Sequence, residues 1–152
     1  MRHLLFLLAC TLTLAACKKA EPPAPTRPPG EVYSAPEGQY LFVRPPSWLR
    51  QVLGVSETPT LGGAATMVRW NLNVETTAPH TVLTLYTFPP EAWAPYAAAD
   101  SAVGEVVFED ARRVIVAQPA DPNPYAPADA GFAHYESLKL PPDSVRARLI
   151  VR

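Results

Sequence analysis

The alternation of apolar and polar positions divides the chain into short runs separated by Pro- and Gly-rich breaks. Tyr40-Leu41-Phe42-Val43 is a short β run stopped by Pro45-Pro46, and Trp48 to Val52 continues it past the kink that Pro-Pro-Ser-Trp imposes. Gly62-Gly63 reads as a turn. Thr66 to Asn73 then alternates, with Thr66, Val68, Trp70 and Leu72 on one face and Met67, Arg69, Asn71 and Asn73 on the other. A period of two predicts a half-buried strand with Trp70 in the core. Thr81 to Phe88 is apolar or Thr on both faces, the pattern of a central strand covered on two sides.

Pro89-Pro90 ends that strand and opens a helix, since proline is tolerated in a first turn. Trp93, Tyr96 and Ala97 share one face of it, and Pro95 keeps it short or broken. Val106 to Phe108 and Val114 to Ala117 pair as a hairpin through Glu109-Asp110-Ala111-Arg112, followed by a stiff loop from Asp121 to Pro127. Asp129 is the expected N-cap of a helix to about Leu140, burying Phe132, Tyr135 and Leu138, and Pro141-Pro142 stops it. The last run alternates Val145, Ala147, Leu149 and Val151 against Arg146, Arg148, Ile150 and Arg152, predicting a strand whose arginines suit an exposed face or an edge that resists unwanted pairing. The expectation is an α+β fold over residues 31–152, one domain with a mostly antiparallel sheet and two or so short packed helices.

The start of the chain follows a different pattern. Met1, Arg2 and His3 form a basic head, Leu4 to Leu14 is apolar apart from Thr11 and Thr13, and Ala15-Ala16 are small. That is the layout of a secretory leader over residues 1–16. Its apolar part is well short of the roughly 20 residues that span a bilayer. Leu14-Ala15-Ala16-Cys17 resembles the bacterial lipobox, a Leu and two small residues before Cys. The resemblance implies cleavage between Ala16 and Cys17, a thioether-linked diacylglycerol on Cys17, and acylation (palmitate being one such chain) of the new amino group. Two or more acyl chains anchor stably, each buried CH₂ adding about 0.8 kcal/mol. The bland alternative is a plain leader with a chance cysteine, and Leu8-Ala9-Cys10 mimics the motif only after too short an apolar run.

Lys18 and Lys19, rather than Asp, follow Cys17. By the same resemblance this implies the outer membrane, facing the periplasm, in a two-membrane cell. In a one-membrane cell the lipid sits in the outer face of the cytoplasmic membrane. Residues 18–30 hold no large apolar side chain, so they cannot offset the entropy of ordering. Their prolines extend them at roughly 3.1 Å per residue, giving residues 17–30 the character of a lipidated cysteine on a Pro-rich tether about 40 Å long that Gly30 ends.

The order of motifs in the folded part also carries a resemblance. Leu41-Phe42-Val43-Arg44-Pro45-Pro46-Ser47-Trp48 precedes Met67-Val68-Arg69-Trp70, then Leu83, Leu85 and Phe88 lead into Glu91-Ala92-Trp93, an Ala-x-Pro strand end and a Tyr-bearing helix. Residues 35 to 140 or so resemble small bacterial envelope lipoproteins and, more loosely, the PsbP/Mog1-like α/β/α sandwich. The arginine-rich last run departs from that pattern. The resemblance implies no catalytic residues.

Composition narrows the partners. Of 13 basic and 14 acidic residues, the leader holds only Arg2, so the processed chain keeps a weak negative charge. That argues against a surface that tracks phosphates, and nucleic acid is not an expected partner. Both cysteines lie in the first 17 residues, leaving the folded part without disulfide, thiolate ligand or thiol nucleophile in an oxidising compartment. About 120 residues suffice for one core, burying on the order of 65% of the unfolded surface.

Candidate chemistry is sparse. The processed chain has only His80 and His134, in separate elements with no second His three or four residues away, so no metal or cofactor site is expected. No Gly-x-Ser-x-Gly elbow or phosphate loop is written, Leu61-Gly62-Gly63 lacking the Lys and helix that cradle an anion. No catalytic residue is assigned, and the chain is not expected to be an enzyme; a hydrolase using His80 or His134 is the remotest reading. The surplus is aromatic: Trp48, Trp70 and Trp93 read as core, and Tyr125, between prolines in a stiff loop, as a contact for a partner such as another envelope protein. The leading expectation is a lipid-anchored binding or assembly module. Its alternative is a small-ligand carrier with a pocket lined by Trp93, Tyr96 and Tyr86.

Overall fold

The strand His80–Phe88 is the middle of the molecule. A computed structural model describes residues 30–73, 79–99 and 103–152, and within it this strand has every position from Thr81 to Phe88 buried. Apolar and Thr side chains on both faces demand cover on both sides, and the chain supplies it. The strand is the fifth along the chain (β5). It pairs antiparallel with β4 (Thr66–Leu72) and β7 (Val114–Gln118). Outside these lie β3 (Val52–Glu57) and β6 (Glu105–Glu109), giving the order β3-β4-β5-β7-β6. A second sheet runs β1-β2-β8, from Glu31–Ser34, Tyr40–Arg44 and Leu149–Val151, again antiparallel throughout. With helices α1 (Pro90–Ala98), α2 (Ala130–Leu138) and α3 (Pro142–Arg146), this is the expected α+β architecture.

Two cores flank the large sheet. On one face Val68, Trp70, Leu83, Leu85 and Ile115 meet Tyr40 and Phe42 of the small sheet, Trp48, and Tyr135 and Leu138 of α2. Trp70 is the hub, its ring centroid 4.7 Å from Tyr33, 5.2 Å from Phe42 and 5.5 Å from Trp48. Trp48 donates its indole N–H to Leu138 O at 2.8 Å, satisfying a polar atom that burial would otherwise penalise. On the other face Met67, Tyr86, Phe88, Val114 and Val116 lie under Trp93 of α1. Thus Met67 is buried too, and β4 is covered on both sides at that end rather than half-buried along its length.

Two sequence expectations need correction. Trp48 to Val52 does not continue the β2 run: Gln51 N donates to Trp48 O at 3.2 Å and Arg50 takes φ 69°. That tight turn hands the chain to β3 in the other sheet. The last run is not one strand either. Pro142, placed where its missing N–H is harmless, opens α3, and Val145 is fully buried beside Leu138 in the first core, so only Leu149–Val151 pairs as strand. The alternation Val145, Ala147, Leu149 hid a spacing of four that a helical turn also satisfies.

Pro95 sits inside α1, which nevertheless runs nine residues; Trp93 is buried, whereas Ala97 is exposed. The α2 helix begins where Asp129 was expected to cap it, but the carboxylate instead accepts from Ala126 N at 3.0 Å and closes the preceding turn.

Candidate functional site

Cys17, the leader over 1–16 and the Pro-rich stretch up to residue 29 lie outside the described residues. Gly30, where description begins, passes so close to β2 that a Cβ there would stand 1.8 Å from Arg44 O.

Tyr125 is half-buried. Its loop is pinned by Asn123, whose side-chain oxygen accepts from Tyr125 N at 3.0 Å and whose amide donates to Phe132 O and to Glu136 Oε1 at 3.1 and 2.8 Å. The ring packs against α2 where Gly131 has no side chain; a Cβ there would be 2.7 Å from Tyr125 Cδ1. Its ring centroid stands 6.4 Å from that of His80. Below it, Tyr135 donates its hydroxyl to Thr81 O at 2.8 Å, and burial followed by the Asp121 and Glu136 charges pushes that phenol up to about 12. Glu136, holding Lys139 and Asn123, is lowered below the usual carboxylate range by those two hydrogen bonds.

The two histidines are not brought together as a catalytic pair. His80 begins β5 with Tyr125 and Tyr135 as ring neighbours, whereas exposed His134 sets Nε2 2.9 Å from Gln51 Oε1. Among the described residues no group of three or more His, Cys, Asp or Glu is placed to hold a metal ion.

The aromatic set expected to line a ligand pocket is packed on itself. Phe88 lies 5.3 Å from Trp93 and 5.5 Å from Tyr96, Trp93 stacks on Tyr96 at 5.7 Å, and Tyr86 is 6.1 Å from Phe88. Those rings fill the space between β5 and α1. Concavity occurs elsewhere. One groove of about 310 Å³ has Leu83 and Ala117 as floor, with Gly104, Gln118, Leu140 and Pro142 around it. A second, of about 390 Å³, carries Arg112, Arg113 and Arg152 with Glu37, Gln39 and Thr87. Arg113 is committed there to protein groups: it donates to Gln39 O, to Arg152 O at 3.2 Å, and stands 3.7 Å from Asp110. It latches the β6–β7 turn to the small sheet.

Sequence reasoning missed one surface altogether. β3 is an outer strand of the large sheet, and its Leu53 and Val55 remain 48% and 43% exposed. The signal was present: two apolar residues at i and i+2 in an uncharged run from Gln51 to Ser56, with no proline or lysine to guard it.

No family model, curated protein or solved structure matches the chain.

Proposed function

We infer that the protein is a lipid-anchored, non-catalytic module of the bacterial cell envelope that binds or helps assemble other envelope components. The observation that carries this reading is Leu14-Ala15-Ala16-Cys17 at the end of a basic-headed apolar run, followed at once by a Pro-rich stretch. Fat on Cys17 ties the chain to the membrane, and the prolines hold the folded part off it. Metabolic labelling with an alkyne-bearing fatty acid tests the anchor. The expected result is label in the membrane fraction that disappears in Cys17→Ser; an unmodified residue 17 or an intact leader overturns it. Replacing half-buried Tyr125 with a photoreactive residue tests it as a partner contact, with capture of a discrete envelope protein expected in cells.

A second reading, a small-ligand carrier, is favoured by one feature, the groove floored by Leu83 and Ala117. Ala117→Leu fills that floor. A carrier loses binding of an apolar fluorescent probe in this variant, and unchanged probe binding removes the groove from consideration.

A further inference from the structure

Three segments distant in sequence converge where β5 runs out and form the groove of about 390 Å³ that carries three arginines. The tip of the β6–β7 hairpin brings Arg112 and Arg113, the turn Pro36–Gly38 brings Glu37, and the chain just after β8 brings Arg152. One side chain ties them together. Arg113 donates from Nη1 to Gln39 O and from Nη2 to Arg152 O at 3.2 Å, while its Nε stands 3.7 Å from Asp110 Oδ2. Asp110 Oδ1 accepts from the Arg112 and Arg113 amides at 2.7 and 2.8 Å, which fixes the backbone from which both guanidiniums leave. The walls are thus built by bonds in which the side chains of Arg112 and Arg152 take no part.

Those two side chains are exposed, and among the described residues neither donates a hydrogen bond or meets an acid at ion-pair distance. Asp110 pairs with Arg113 instead and feels Arg112 only as a more distant charge. Arg44, Arg69 and Arg146, by contrast, each meet an acid at 3.0 or 3.1 Å. A surface arginine without a partner is ordinary by itself. What sets this pair apart is the floor between them. Thr87 lines the groove, is only 2% exposed, and its Oγ1 has no hydrogen-bond partner among the described residues. Its direction follows from its neighbour across the ladder. Thr66 stands opposite Thr87, so both side chains leave the same face, and Thr66 Oγ1 reaches Gln39 Oε1 at 3.1 Å on the groove wall. One hydroxyl of the pair is satisfied, and the other is buried with nothing to bind, an arrangement that costs stability.

We propose that this groove binds a small carboxylate anion, clamped by the Arg112 and Arg152 guanidiniums with the Thr87 hydroxyl donating from the floor. A guanidinium presents its N–H groups in the planar fork that a carboxylate matches, and it stays charged at any pH the fold meets. Both arginines are long and exposed, so they close over the ligand from outside. Thr87 gains the acceptor it lacks once a ligand oxygen settles on the floor. Phosphate shares this chemistry, and Glu37 chooses between the two. It is exposed on the same groove, makes no ion pair among the described residues, and repels a second negative charge. A singly charged carboxylate is neutralised by the arginine pair, whereas a phosphate dianion meets Glu37 as well.

Nuclear magnetic resonance titrations of the full-length chain in neutral detergent test this, with acetate and inorganic phosphate as probes at constant ionic strength. Acetate is expected to shift the Thr87 methyl and the Arg112 and Arg113 amides along one saturable curve, with a millimolar dissociation constant and phosphate the weaker. Arg112→Gln combined with Arg152→Gln, at exposed positions outside the core, weakens acetate by about ten-fold or more. Thr87→Val weakens it by about three-fold or more while the melting temperature does not fall, because the hydroxyl it removes has no partner in the folded chain. Glu37→Gln narrows the gap between phosphate and acetate. Shifts that never saturate, shifts that survive the double arginine variant, a Thr87→Val chain that binds like the parent, or a parent chain that prefers phosphate each overturns the proposal. The site rests on the groove and not on the lipid, so loss of label at Cys17 and loss of the acetate shifts are separate outcomes.

Discussion

The two outer strands of the large sheet are built to opposite rules. β6 is closed in four ways. It carries Glu105 and Glu109 at its ends, its register breaks between Val106 and Phe108, α3 packs along it, and Arg146 Nη2 donates to Val106 O at 2.9 Å while pairing with Glu105 at 3.0 Å. Along β3 the register is unbroken, and Leu53 and Val55 stay exposed beside the Val52 carbonyl that Arg44 caps. Each device on β6 blocks strand addition by charge, geometry or cover, whereas β3 is closed only at Val52, which is fully buried with its carbonyl bonded to Arg44. The difference teaches that the open rim is a property of the β3 sequence, not of the fold.

What holds the open rim in place is one ring. Gly54 lies opposite Trp70, and a Cβ at residue 54 would come within 2.7 Å of Trp70 Cζ3, so the indole occupies the space a side chain would take. Trp70→Ala is therefore the harshest way to break the comparison. It removes the hub of the first core at a cost of about 3–5 kcal/mol. In hydrogen exchange, β3 and β4 lose protection well before β6 and β7, and uniform loss across the sheet would show that the ring serves both rims alike. Gly54→Ala is milder. The new methyl presses the indole toward Tyr33 and Phe42, an overpacking worth about 1–3 kcal/mol that denaturant unfolding will read. At the closed rim, Arg146→Ala removes the cap on Val106 O. Because that side chain is 44% exposed, the stability loss stays within about 1 kcal/mol. Exchange at β6 should rise while β3 is unchanged.

How much of this could be read beforehand follows from what each signal physically encodes. Burial on both faces of Thr81–Phe88 was legible because a run without polar breaks has one cheap solution, the middle of a sheet. The β6–β7 hairpin and the Pro-opened α1 were legible because Asp110 and Pro90 act locally. The division into two sheets was not. It depends on a turn at Arg50 with positive φ, a conformation that sequence statistics assign to Gly or Asn. Nor was α3, since Val145 and Leu149 fit both a period of two and a turn of four. The surfaces were the least legible. Tyr125 was visible as an aromatic in a stiff loop, yet Gly131, six residues on, decides that its ring packs against α2 and is half-buried. The aromatic trio Tyr86, Trp93 and Tyr96 suggested a pocket because composition names the lining and not the packing, and Phe88 fills the gap between them.

The smallest expected effect is a slope rather than an offset, and it belongs to the closed rim. At the tip of the β6–β7 hairpin Asp110 Oδ1 accepts from Arg112 N at 2.7 Å and Arg113 N at 2.8 Å. The Arg112 N–H bond above all, with the second amide and the two guanidinium charges, holds this carboxyl below its ordinary value. A carboxylate with a lowered folded pKa contributes stability that is present above its unfolded pKa, near 4, and lost as pH falls through the folded value. Asp110→Asn keeps an oxygen in place to accept both amides but removes the charge. Thermal melts of the two chains should differ most at pH 6–7, with the variant the less stable, and converge as pH falls through the lowered value at which the native aspartate protonates. Parallel curves across that range would mean that the turn is held by its amide geometry alone. The Arg113 latch, from that turn to Gln39 O and Arg152 O, would then be indifferent to the charge beside it.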